Sequence, residues 1–416
     1  MSKVIVEGGA RLQGTVGVLG AKNAALKEMV SALLAPGRHR LTNVPSILDV
    51  ALMCRVLEHT GCHVEQNGHE LWVVVPEELR PEAPIELVRE MRASIVVLGP
   101  LLSRCGEARV ALPGGDDLGA RPIDMHLHGL EAMGVDFELV HGELIGRVDG
   151  RLKGTEVELP FPSVGATENL LFAGALAEGE TVIVNAAREP EIEDLITQLV
   201  EMGAEITGGG TSLVSIRGVE KLSPAQHHVI PDRLEAGTYA AAGAITGGDV
   251  TVTGCLPQHL RMELRKFEES GCEVERGHDW LRLKGPERPS PVDFATLPFP
   301  GFHTDMQPQM VALLSVATGT SVITENLYDA RFRYVGELAR MGADITTEAQ
   351  HAIIRGVERL SGCPVLAPDI RAGAALVLAG LRAEGTTEIG EAEHIDRGYE
   401  DLPGRLRALG ARIEKG

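Results

Sequence analysis

Six basic residues lie in loop-like stretches of a chain that is otherwise strongly acidic. The sequence contains 39 Lys and Arg residues against 59 Asp and Glu residues, which gives a formal net charge of −20. Guanidinium groups bind carboxylates and phosphates through paired hydrogen bonds, so several of them together predict a site for a small anionic substrate. The six residues are Lys22, Arg92, Arg121, Arg331, Arg371 and Arg397. One such residue alone is more often a surface salt-bridge partner, but six at equivalent points of a repeat favour a binding site.

The composition disfavours several other classes of protein. The excess of negative charge disfavours binding to nucleic acid or to anionic lipid, so neither partner is expected. No apolar stretch reaches the ~18 residues of a membrane span, and the N-terminal residues lack a signal-peptide core, so we expect a cytoplasmic protein. The six cysteines form no CxxC pair, and no His and carboxylate residues have metal-ligand spacing. The sequence therefore predicts neither a metal nor a cofactor.

A short element recurs six times along the chain. It consists of a helix-like stretch, a glycine, a small residue and a strand-like stretch. A glycine directly after a helix suits the left-handed conformation that ends many helices. Such spacing predicts six repeated α/β units. The glycines, 68 to 73 residues apart, are Gly61, Gly134, Gly203, Gly271, Gly342 and Gly410.

A second helix precedes each of these elements and is rich in small apolar residues, as in ATENLLFAGALAEG and RAGAALVLAG. A helix that is apolar on nearly all sides is typical of a protein interior. We therefore expect three units in each of two domains, with helices inside and sheets outside. This is a prism-like α/β architecture rather than a doubly wound parallel sheet.

The two ends of the sequence predict one discontinuous domain. The last unit stops at ARIEKG without closing strands, and the N-terminal stretch IVEGGARLQGTVGV has the pattern of those missing strands. Residues 1–20 are therefore expected to complete the sixth unit, which gives one domain of 1–20 with 231–416 and a second of 21–230. Two chain crossings favour a hinge, and a cleft between domains is the default place for a ligand.

Polar residues mark the start of the small-residue helix in every unit, and a second polar set occupies the loops that lead into the other helix. A threefold arrangement would bring both sets to one end of each domain, where helix N-termini attract anions. The first set is Lys22 with Asn23, Arg92, Ser163, Asp232 with Arg233, Asp305, and Asp369 with Arg371. The second set is Asp49, Asp116 with Arg121 and Asp124, Arg188 with Glu189, His259 with Arg261, Arg331 with Arg333, and His394 with Asp396 and Arg397.

Seven segments resemble signatures of the UDP-N-acetylglucosamine enolpyruvyl transferases, a branch of the enolpyruvyl transferase family. Because the segments run nearly from end to end, the resemblance implies that family's fold, a two-domain inside-out α/β barrel of six repeated units. The segments are GAKNAAL at 20–26, LPGGDDLGARPIDMHL at 112–127, PSVGATEN at 162–169, PFPGFHTDMQPQ at 298–309, TENLYDARF at 324–332, DIRAGAAL at 369–376 and HIDRGYE at 394–400.

The resemblance also implies a reaction and a set of substrates. The enolpyruvyl group of phosphoenolpyruvate moves to the 3-hydroxyl of UDP-N-acetylglucosamine, and phosphate leaves, by addition followed by elimination. This step commits the sugar nucleotide to peptidoglycan. It needs an acid, a base and clamps for anions, and no cofactor.

Matching motifs assign roles to individual residues of this sequence. Lys22, Asp116, Asp305 and Arg397 would act in catalysis, with Asp305 either accepting the proton of the attacking hydroxyl or only orienting it. Asp369 either lines the pocket or is a structural partner of an arginine. The phosphoenolpyruvate contacts would be Lys22, Asn23, Arg121, Arg371 and Arg397. The sugar-nucleotide contacts would be Asn23, Arg92, Arg121, Pro122, Ile123, Asp124, Met125, Ser163, Val164, Gly165, Asp305, Leu327 and Tyr328.

The residue after LPGG departs from the pattern of many family members. Many carry a cysteine there, which donates the proton, whereas this chain has Asp116 followed by Asp117. Other members also carry aspartate, so the departure changes the acid without implying an inactive enzyme. Because fosfomycin alkylates that cysteine, we expect resistance to the drug. We also expect the Gly-rich loop 112–125, which carries Asp116 and Arg121, to be a mobile lid.

Two other functions remain open from the sequence. The chain could transfer the enolpyruvyl group to another acceptor, either shikimate 3-phosphate or a different sugar nucleotide. It could instead be a non-catalytic sensor of sugar nucleotides on the same scaffold. The presence of Lys22, Asp305 and Arg397 disfavours the sensor.

Overall fold

The computed structural model describes residues 2–112, 114, 118–119 and 122–416 of the chain. Short 3₁₀ turns at Ala32–Leu34, Arg92–Val97, Pro257–Leu260, Thr304–Met306 and Arg331–Tyr334 adjoin several of its α-helices. The α-helices are α1 (Lys22–Ser31), α2 (Leu48–His59), α3 (Ile85–Glu90), α4 (Leu98–Cys105), α5 (Asp124–Ala132), α6 (Val164–Ala175), α7 (Pro190–Glu201), α8 (Arg233–Ile245), α9 (Arg261–Glu269), α10 (Gln307–Leu314), α11 (Val335–Arg340), α12 (Ile370–Arg382), α13 (Glu393–Asp396) and α14 (Leu402–Ala408).

The strands are short and alternate along the chain with these helices. They are β1 (Lys3–Glu7), β2 (Gln13–Gly17), β3 (Gly37–Thr42), β4 (His63–Asn67), β5 (Glu70–Val75), β6 (Glu82–Ala83), β7 (Glu107–Ala111), β8 (Asp136–Val140), β9 (Glu143–Arg147), β10 (Glu156–Glu158), β11 (Glu180–Val184), β12 (Glu205–Thr207), β13 (Leu213–Arg217), β14 (Gln226–His228), β15 (Asp249–Thr253), β16 (Glu273–Arg276), β17 (Trp280–Lys284), β18 (Phe294–Ala295), β19 (Thr320–Thr324), β20 (Asp344–Glu348), β21 (His351–Arg355), β22 (Pro364–Leu366), β23 (Thr386–Gly390) and β24 (Arg412–Lys415).

Two compact units divide the described chain. The discontinuous unit comprises Met1–Leu19 and Pro231–Gly416, together with Leu118 and Gly119. The inserted unit comprises Gly20–Gly115 and Pro122–Ile230. Within the described ranges, no helix combines the length and the apolar character that crossing a membrane would require.

The described strands form six four-stranded sheets of one repeated pattern, three in each unit. In every sheet one outer strand runs parallel to its neighbour, and the remaining pairs are antiparallel. The inserted unit has the sheets β14-β3-β5-β4, β6-β7-β9-β8 and β10-β11-β13-β12, and the discontinuous unit has β16-β17-β15-β2, β18-β19-β21-β20 and β22-β23-β1-β24.

The parallel outer strand links each sheet to the next and closes the three repeats of a unit into a ring. In the inserted unit, β6 follows the first repeat but pairs with β7 of the second, and β10 passes in the same way to the third. The ring closes because β14, at the end of the third repeat, pairs with β3 of the first. Each repeat thus depends on its neighbours for a complete sheet.

The N-terminal strands take part in the same exchange within the discontinuous unit. β1 lies between β23 and β24 and supplies the strand that the last repeat lacks. β2, however, pairs with β15, so it belongs to the sheet of the fourth repeat. β1 and β2 therefore correspond to β21 and β22 of the fifth repeat, and β2, like β22, pairs with the first strand of the following sheet.

The repeat glycines adopt the conformation that the sequence predicts for helix ends. All six have positive φ angles, from 93° at Gly342 to 103° at Gly61 and Gly203. A residue with a side chain is strained there, so glycine is required where each second helix turns into the following strand. This prediction is confirmed at every repeat.

The small-residue helices form the interior of each unit. Every residue of α8 and α10 is buried, as are all but the last residue of α12. These three helices contact one another in the discontinuous unit. Strands, in contrast, alternate buried and exposed residues, as in β15 and β17. Small side chains such as those of Ala240, Ala241 and Ala242 let buried helix backbones approach closely.

Glu235, on α8, is a buried acid at the point where the chain enters the discontinuous unit. Its Oε2 accepts from the backbone N–H of Leu19 at 2.9 Å, and its Oε1 accepts from the Tyr239 hydroxyl at 2.9 Å. Burial raises the pKa of Glu235 to about 7, and the Leu19 N–H opposes this. Glu235 therefore keeps its proton in the folded protein at pH values where an unfolded chain has released it.

We expect Glu235 to make the folded protein less stable as the pH rises. Between the unfolded pKa of about 4.3 and the folded value of about 7, the folded state binds the extra proton, so stability falls across this window. The wild type should lose roughly 2–3 kcal/mol more than Glu235→Gln between pH 5 and pH 8. Thermal melts at both pH values would measure this, with the exposed Glu273→Gln as control. Equal pH dependence in all three proteins would contradict the prediction.

Candidate active site

Polar residues begin a helix at the same point of each repeat. The chain reaches each of these points after it leaves the parallel outer strand of a sheet. In the inserted unit these residues are Lys22 at the start of α1, Arg92 at the start of a 3₁₀ turn and Ser163 at the N-cap of α6. In the discontinuous unit they are Asp232 at the N-cap of α8, Asp305 in the 3₁₀ turn before α10 and Asp369 at the N-cap of α12.

Lys22 is the first residue of α1 and is almost fully buried. Its Nζ lies 2.7 Å from Asp49 Oδ2, whose side chain is 3% exposed, in the first turn of α2. A Cβ atom on Gly20 would lie 1.8 Å from the carbonyl oxygen of Asn43, so only glycine fits before this helix. The GAKN segment thus fixes both the start of α1 and the place of the Lys22 ammonium group.

Asn23 follows Lys22 at the positive end of the α1 dipole. Its carbonyl oxygen accepts from Lys27 Nζ at 3.0 Å, and Lys27 also lies 3.2 Å from Glu168 on α6. Backbone N–H groups in a first helical turn have no partner within the helix and attract anions. Lys22 and Asn23 therefore combine a cation with a helix N-terminus.

Arg92 and the start of α5 lie together in the inserted unit. Arg92 Nη2 donates to the carbonyl oxygen of Pro122 at 3.2 Å, and Asp124 begins α5. Ile123 and Met125 pack against the hydrophobic core of this unit. The residues predicted at 122–125 are thus anchored beside Arg92 by one hydrogen bond and two apolar contacts.

His126 connects this region to the α6 turn and was not among the predicted site residues. Burial lowers its pKa to about 4, with Arg92 acting in the same direction and Asp124 opposing. Its Nδ1 lies 2.8 Å from the amide nitrogen of Asn169, whose Oδ1 accepts from the Gly99 N–H at 2.8 Å. The ring is therefore neutral and accepts at Nδ1.

The segment Ser163–Val164–Gly165 begins α6 against this imidazole. Ser163 Oγ accepts from the Ala166 N–H, and Val164 and Gly165 form the first turn. A Cβ atom on Gly165 would lie 2.9 Å from His126 Cε1. Glycine therefore lets the α6 N-terminus approach α5, which brings the predicted sugar-nucleotide residues 122–125 and 163–165 into one neighbourhood.

Asp305, Arg331 and Arg371 form a charged cluster in the discontinuous unit. Asp305 Oδ1 lies 3.2 Å from Arg331 Nη2, and Asp305 Oδ2 lies 3.2 Å from Arg371 Nε. The arginine side chains are 1% and 4% exposed, whereas that of Asp305 is 20% exposed. Asp305 is therefore the partly exposed member of a cluster whose two cations are buried.

Both arginines of this cluster remain charged. Burial alone would lower the pKa of Arg331, but the carboxylates of Asp369, Asp305 and Glu325 outweigh it, and the net direction is upward. The pKa of Arg371 is likewise raised against burial by Tyr399, Asp305 and Asp232. A buried guanidinium between carboxylates is thus held rigidly in its charged form.

Backbone and side-chain contacts fix the orientation of Asp305 and Arg371. The Asp305 N–H donates to His303 Nδ1 at 2.9 Å, and Asp369 Oδ1 accepts from the N–H groups of Arg371 and Ala372 at 2.8 and 2.9 Å. Asp369 is thus a helix cap with a structural role. Its charge also helps to keep Arg331 protonated.

Leu327 and Tyr328 lie on a loop that a buried acid organises. Glu325 Oε1 accepts from the N–H groups of both residues, at 2.9 and 3.2 Å, and from the Thr296 hydroxyl at 2.8 Å. The same loop leads directly to Arg331. Glu325 is thus a positioning residue that sequence reasoning missed, although it lies within the TENLYDARF segment.

Arg397 directly follows α13 and precedes two residues that adjoin the start of α12. Two residues further on, the Tyr399 ring lies 5.2 Å from the Arg371 guanidinium carbon, and Gly398 packs against Ile370. Arg397 itself closes α13 with its N–H directed to the His394 carbonyl oxygen at 3.3 Å.

The predicted acid, Asp116, and one predicted clamp residue, Arg121, lie outside the described residues. Leu118 and Gly119, between them in sequence, are described. The Ala330 N–H donates to the Leu118 carbonyl oxygen at 3.2 Å, and a Cβ atom on Gly119 would lie 3.2 Å from the same nitrogen. Leu118 and Gly119 therefore contact Ala330, the residue that precedes Arg331 in sequence.

Comparisons with known proteins agree on one family. Residues 6–406 match the model of EPSP synthase (3-phosphoshikimate 1-carboxyvinyltransferase). A protein of Corynebacterium jeikeium named UDP-N-acetylglucosamine 1-carboxyvinyltransferase is 52% identical over 411 residues, which cover 99% of this chain and 98% of that protein.

Two solved structures share the fold. The enolpyruvyl transferase NikO from Streptomyces tendae matches with a TM-score of 0.90 and 27% identity, over 100% of this chain and 99% of NikO. An EPSP synthase from Acinetobacter baumannii matches with a TM-score of 0.77 over 100% of both chains, and its 19% identity supports the fold alone.

The chain therefore belongs to the EPSP synthase family of enolpyruvyl transferases and, within it, to the group of UDP-N-acetylglucosamine 1-carboxyvinyltransferases. It is an enzyme that transfers a carboxyvinyl group. The family recognised from GAKNAAL, PSVGATEN and the other segments is thus confirmed.

Proposed function

We propose that this enzyme moves the enolpyruvyl group of phosphoenolpyruvate to the 3-hydroxyl of UDP-N-acetylglucosamine and releases phosphate. The product is a precursor of peptidoglycan. The proposal includes the architecture: two inside-out barrels of three repeats each, with the buried helices as the inner layer. The cyclic exchange of β6, β10 and β14 supports that architecture, because it joins the three sheets of a unit into a ring.

Cations from several repeats are needed to hold phosphoenolpyruvate, which carries a phosphate and a carboxylate. Lys22, Arg121 and Arg397 are proposed to clamp these groups, with Asn23 at the start of α1 and Arg371 assisting. The burial of Lys22 beside Asp49 supports this role, because charges in a water-poor site interact more strongly with a ligand. A compact anion would compete with Asp49 for the ammonium group.

The sugar nucleotide is proposed to contact two groups of residues. Arg92, segment 122–125 and the Ser163–Gly165 turn contribute from the inserted unit, and Leu327 and Tyr328 contribute from the discontinuous unit. The helix N-terminus of α6 supports these contacts because helix N-termini attract phosphate groups. Glu325 supports them because it holds the backbone at Leu327 and Tyr328.

The addition step requires one proton to enter and one to leave. Asp116 is proposed to donate a proton to C3 of phosphoenolpyruvate, which leaves C2 with oxocarbenium character. The 3-hydroxyl oxygen then bonds to C2, and its proton passes toward Asp305. The result is a tetrahedral intermediate whose charges the arginine and lysine groups stabilise.

The elimination step reverses the proton movements at C3. A base removes a proton from C3, the double bond between C2 and C3 returns, and the C2–O bond to phosphate breaks. Phosphate leaves with the electron pair, and Lys22, Arg121 and Arg397 neutralise its charge. The same carboxyl at position 116 can serve as acid and then as base, because it is deprotonated after the first step.

The observation that carries the proposal is the Asp305–Arg331–Arg371 cluster, in which two buried guanidiniums hold one partly exposed carboxylate. The test is phosphate release from phosphoenolpyruvate with UDP-N-acetylglucosamine or shikimate 3-phosphate as acceptor. We expect turnover with the sugar nucleotide only. Turnover with shikimate 3-phosphate alone would show that shikimate 3-phosphate is the acceptor. Binding of the sugar nucleotide without any phosphate release would favour a sensor.

A further inference from the structure

A buried cluster of carboxylates and one histidine lies in the inserted unit, apart from the residues assigned to the reaction. Glu28 lies on α1, Asp194 on α7 and His227 on β14. Their side chains are 0%, 7% and 4% exposed. One donor atom from each lies within 4.8 Å of the donors of the other two.

We propose that Glu28, Asp194 and His227 bind one zinc ion in the inserted unit. The spacing of their donor atoms suits this ion. His227 Nε2 lies 3.3 Å from Asp194 Oδ1 and 3.7 Å from Glu28 Oε1. A tetrahedral zinc site with bonds of about 2.0–2.1 Å separates its ligand atoms by about 3.3–3.4 Å.

The outer contacts of the ligands match those of known zinc sites. His227 Nδ1 lies 2.9 Å from Glu201 Oε2, so the carboxylate holds the ring with Nε2 directed at Asp194 and Glu28. A carboxylate on the far nitrogen fixes the tautomer of a zinc-binding histidine and raises its basicity. Asp194 Oδ2 accepts from the Ile230 N–H at 2.9 Å, which leaves Oδ1 for the ion.

Glu28 supplies an independent reason to expect a cation. Neither of its carboxyl oxygens has a hydrogen-bond partner among the residues that the structure describes, although the side chain is fully buried. Buried carboxylates without donors are costly unless they share a proton or bind a metal, and either Glu28 oxygen can complete the coordination.

The alternative occupant is a proton shared between Glu28 and Asp194. It would satisfy one pair of oxygens but would leave the second Glu28 oxygen without a partner. An ion of charge +2 balances two carboxylates and uses all three donors, so the geometry favours zinc. The ion would join α1, which begins with Lys22, to α7 and β14.

The test is the zinc content of the full-length protein after one equivalent of ZnCl₂ and desalting. We expect one zinc per chain, a melting temperature about 2 °C or more above that of the chelator-treated protein, and d–d absorption when Co²⁺ replaces zinc. Glu28→Gln and His227→Gln should each lose the zinc and the melting shift. The neighbouring His228→Gln, on the same strand but exposed, should keep both.

Several results would overturn the proposal. The proposal fails if the wild-type protein retains no zinc or if Glu28→Gln still retains it. It also fails if Glu28→Gln melts at a higher temperature than the wild type and zinc does not change either melting temperature, because that result would indicate a shared proton. If a variant fails to fold, anomalous diffraction from wild-type crystals soaked in ZnCl₂ decides the matter. A peak among Glu28, Asp194 and His227 is expected, and a peak only at surface histidines would contradict the site.

Discussion

An Asp116→Asn variant is expected to lose turnover by about 10²–10⁴-fold, the range that a positioned general acid contributes. The amide has the shape of the carboxyl group but no proton to donate to C3 of phosphoenolpyruvate. The expected loss falls on kcat, because the amide removes a proton transfer rather than a binding charge. Initial rates of phosphate release at saturating substrate measure it.

A carboxyl group can act as a general acid at neutral pH only if its pKa is raised. An aspartic acid in water titrates near 3.9, so only about one in a thousand is protonated at pH 7. Use as an acid therefore needs surroundings that disfavour the charged form, either desolvation or a second carboxylate. Asp117 is adjacent in sequence, whereas the proposed cations act in the opposite direction.

The Asp116→Cys variant tests whether a different proton donor can replace the carboxyl group at this position. A thiol also donates a proton, so we expect activity within about tenfold of the wild type. It should also introduce time-dependent inactivation by fosfomycin, to which the wild type should be resistant. The exposed Asp136→Asn, on β8, is the control and should remain active and resistant. A fully active Asp116→Asn, or stoichiometric inactivation of the wild type, would remove Asp116 from the mechanism.

The repeat was predictable because each unit contains residues that its local backbone conformation requires. Gly61 and its five equivalents are required by a positive φ at a helix end, so each repeat carries its own signal. The polar residues at helix starts are local too: Ser163, Asp232 and Asp369 cap the helices that follow them. Local requirements of this kind can be recognised from a single sequence.

Features that depend on contacts distant in sequence were not predictable. β2 pairs with β15 more than 230 residues later, and nothing in its five residues specifies that sheet. Glu28, Asp194 and His227 come together only because α1, α7 and β14 pack in one unit, so no ligand spacing is visible along the chain. Glu325 lay within a recognised segment, yet its role depends on Thr296 and Thr304.

Asp305→Asn is expected to reduce kcat by about 10²–10⁴-fold while the fold is retained. Asn keeps one oxygen that can accept from Arg331 or Arg371, and Asp369 and Glu325 still balance the charge on Arg331. What it loses is the ability to take a proton from the 3-hydroxyl. Asp305→Ala should be worse for stability, since it leaves both buried guanidiniums without their shared carboxylate.

The kinetic pattern of Asp305→Asn distinguishes a base from an orienting group. If Asp305 accepts the proton, kcat falls and the KM for UDP-N-acetylglucosamine changes by only a few fold. If it only orients the hydroxyl, the amide oxygen can do so nearly as well and kcat stays within about tenfold. The exposed Asp344→Asn, in the same unit, controls for loss of one negative charge. A drop confined to kcat, with an unchanged melting temperature, would assign the proton transfer to Asp305, because one of the two guanidiniums would still hold the amide oxygen in place.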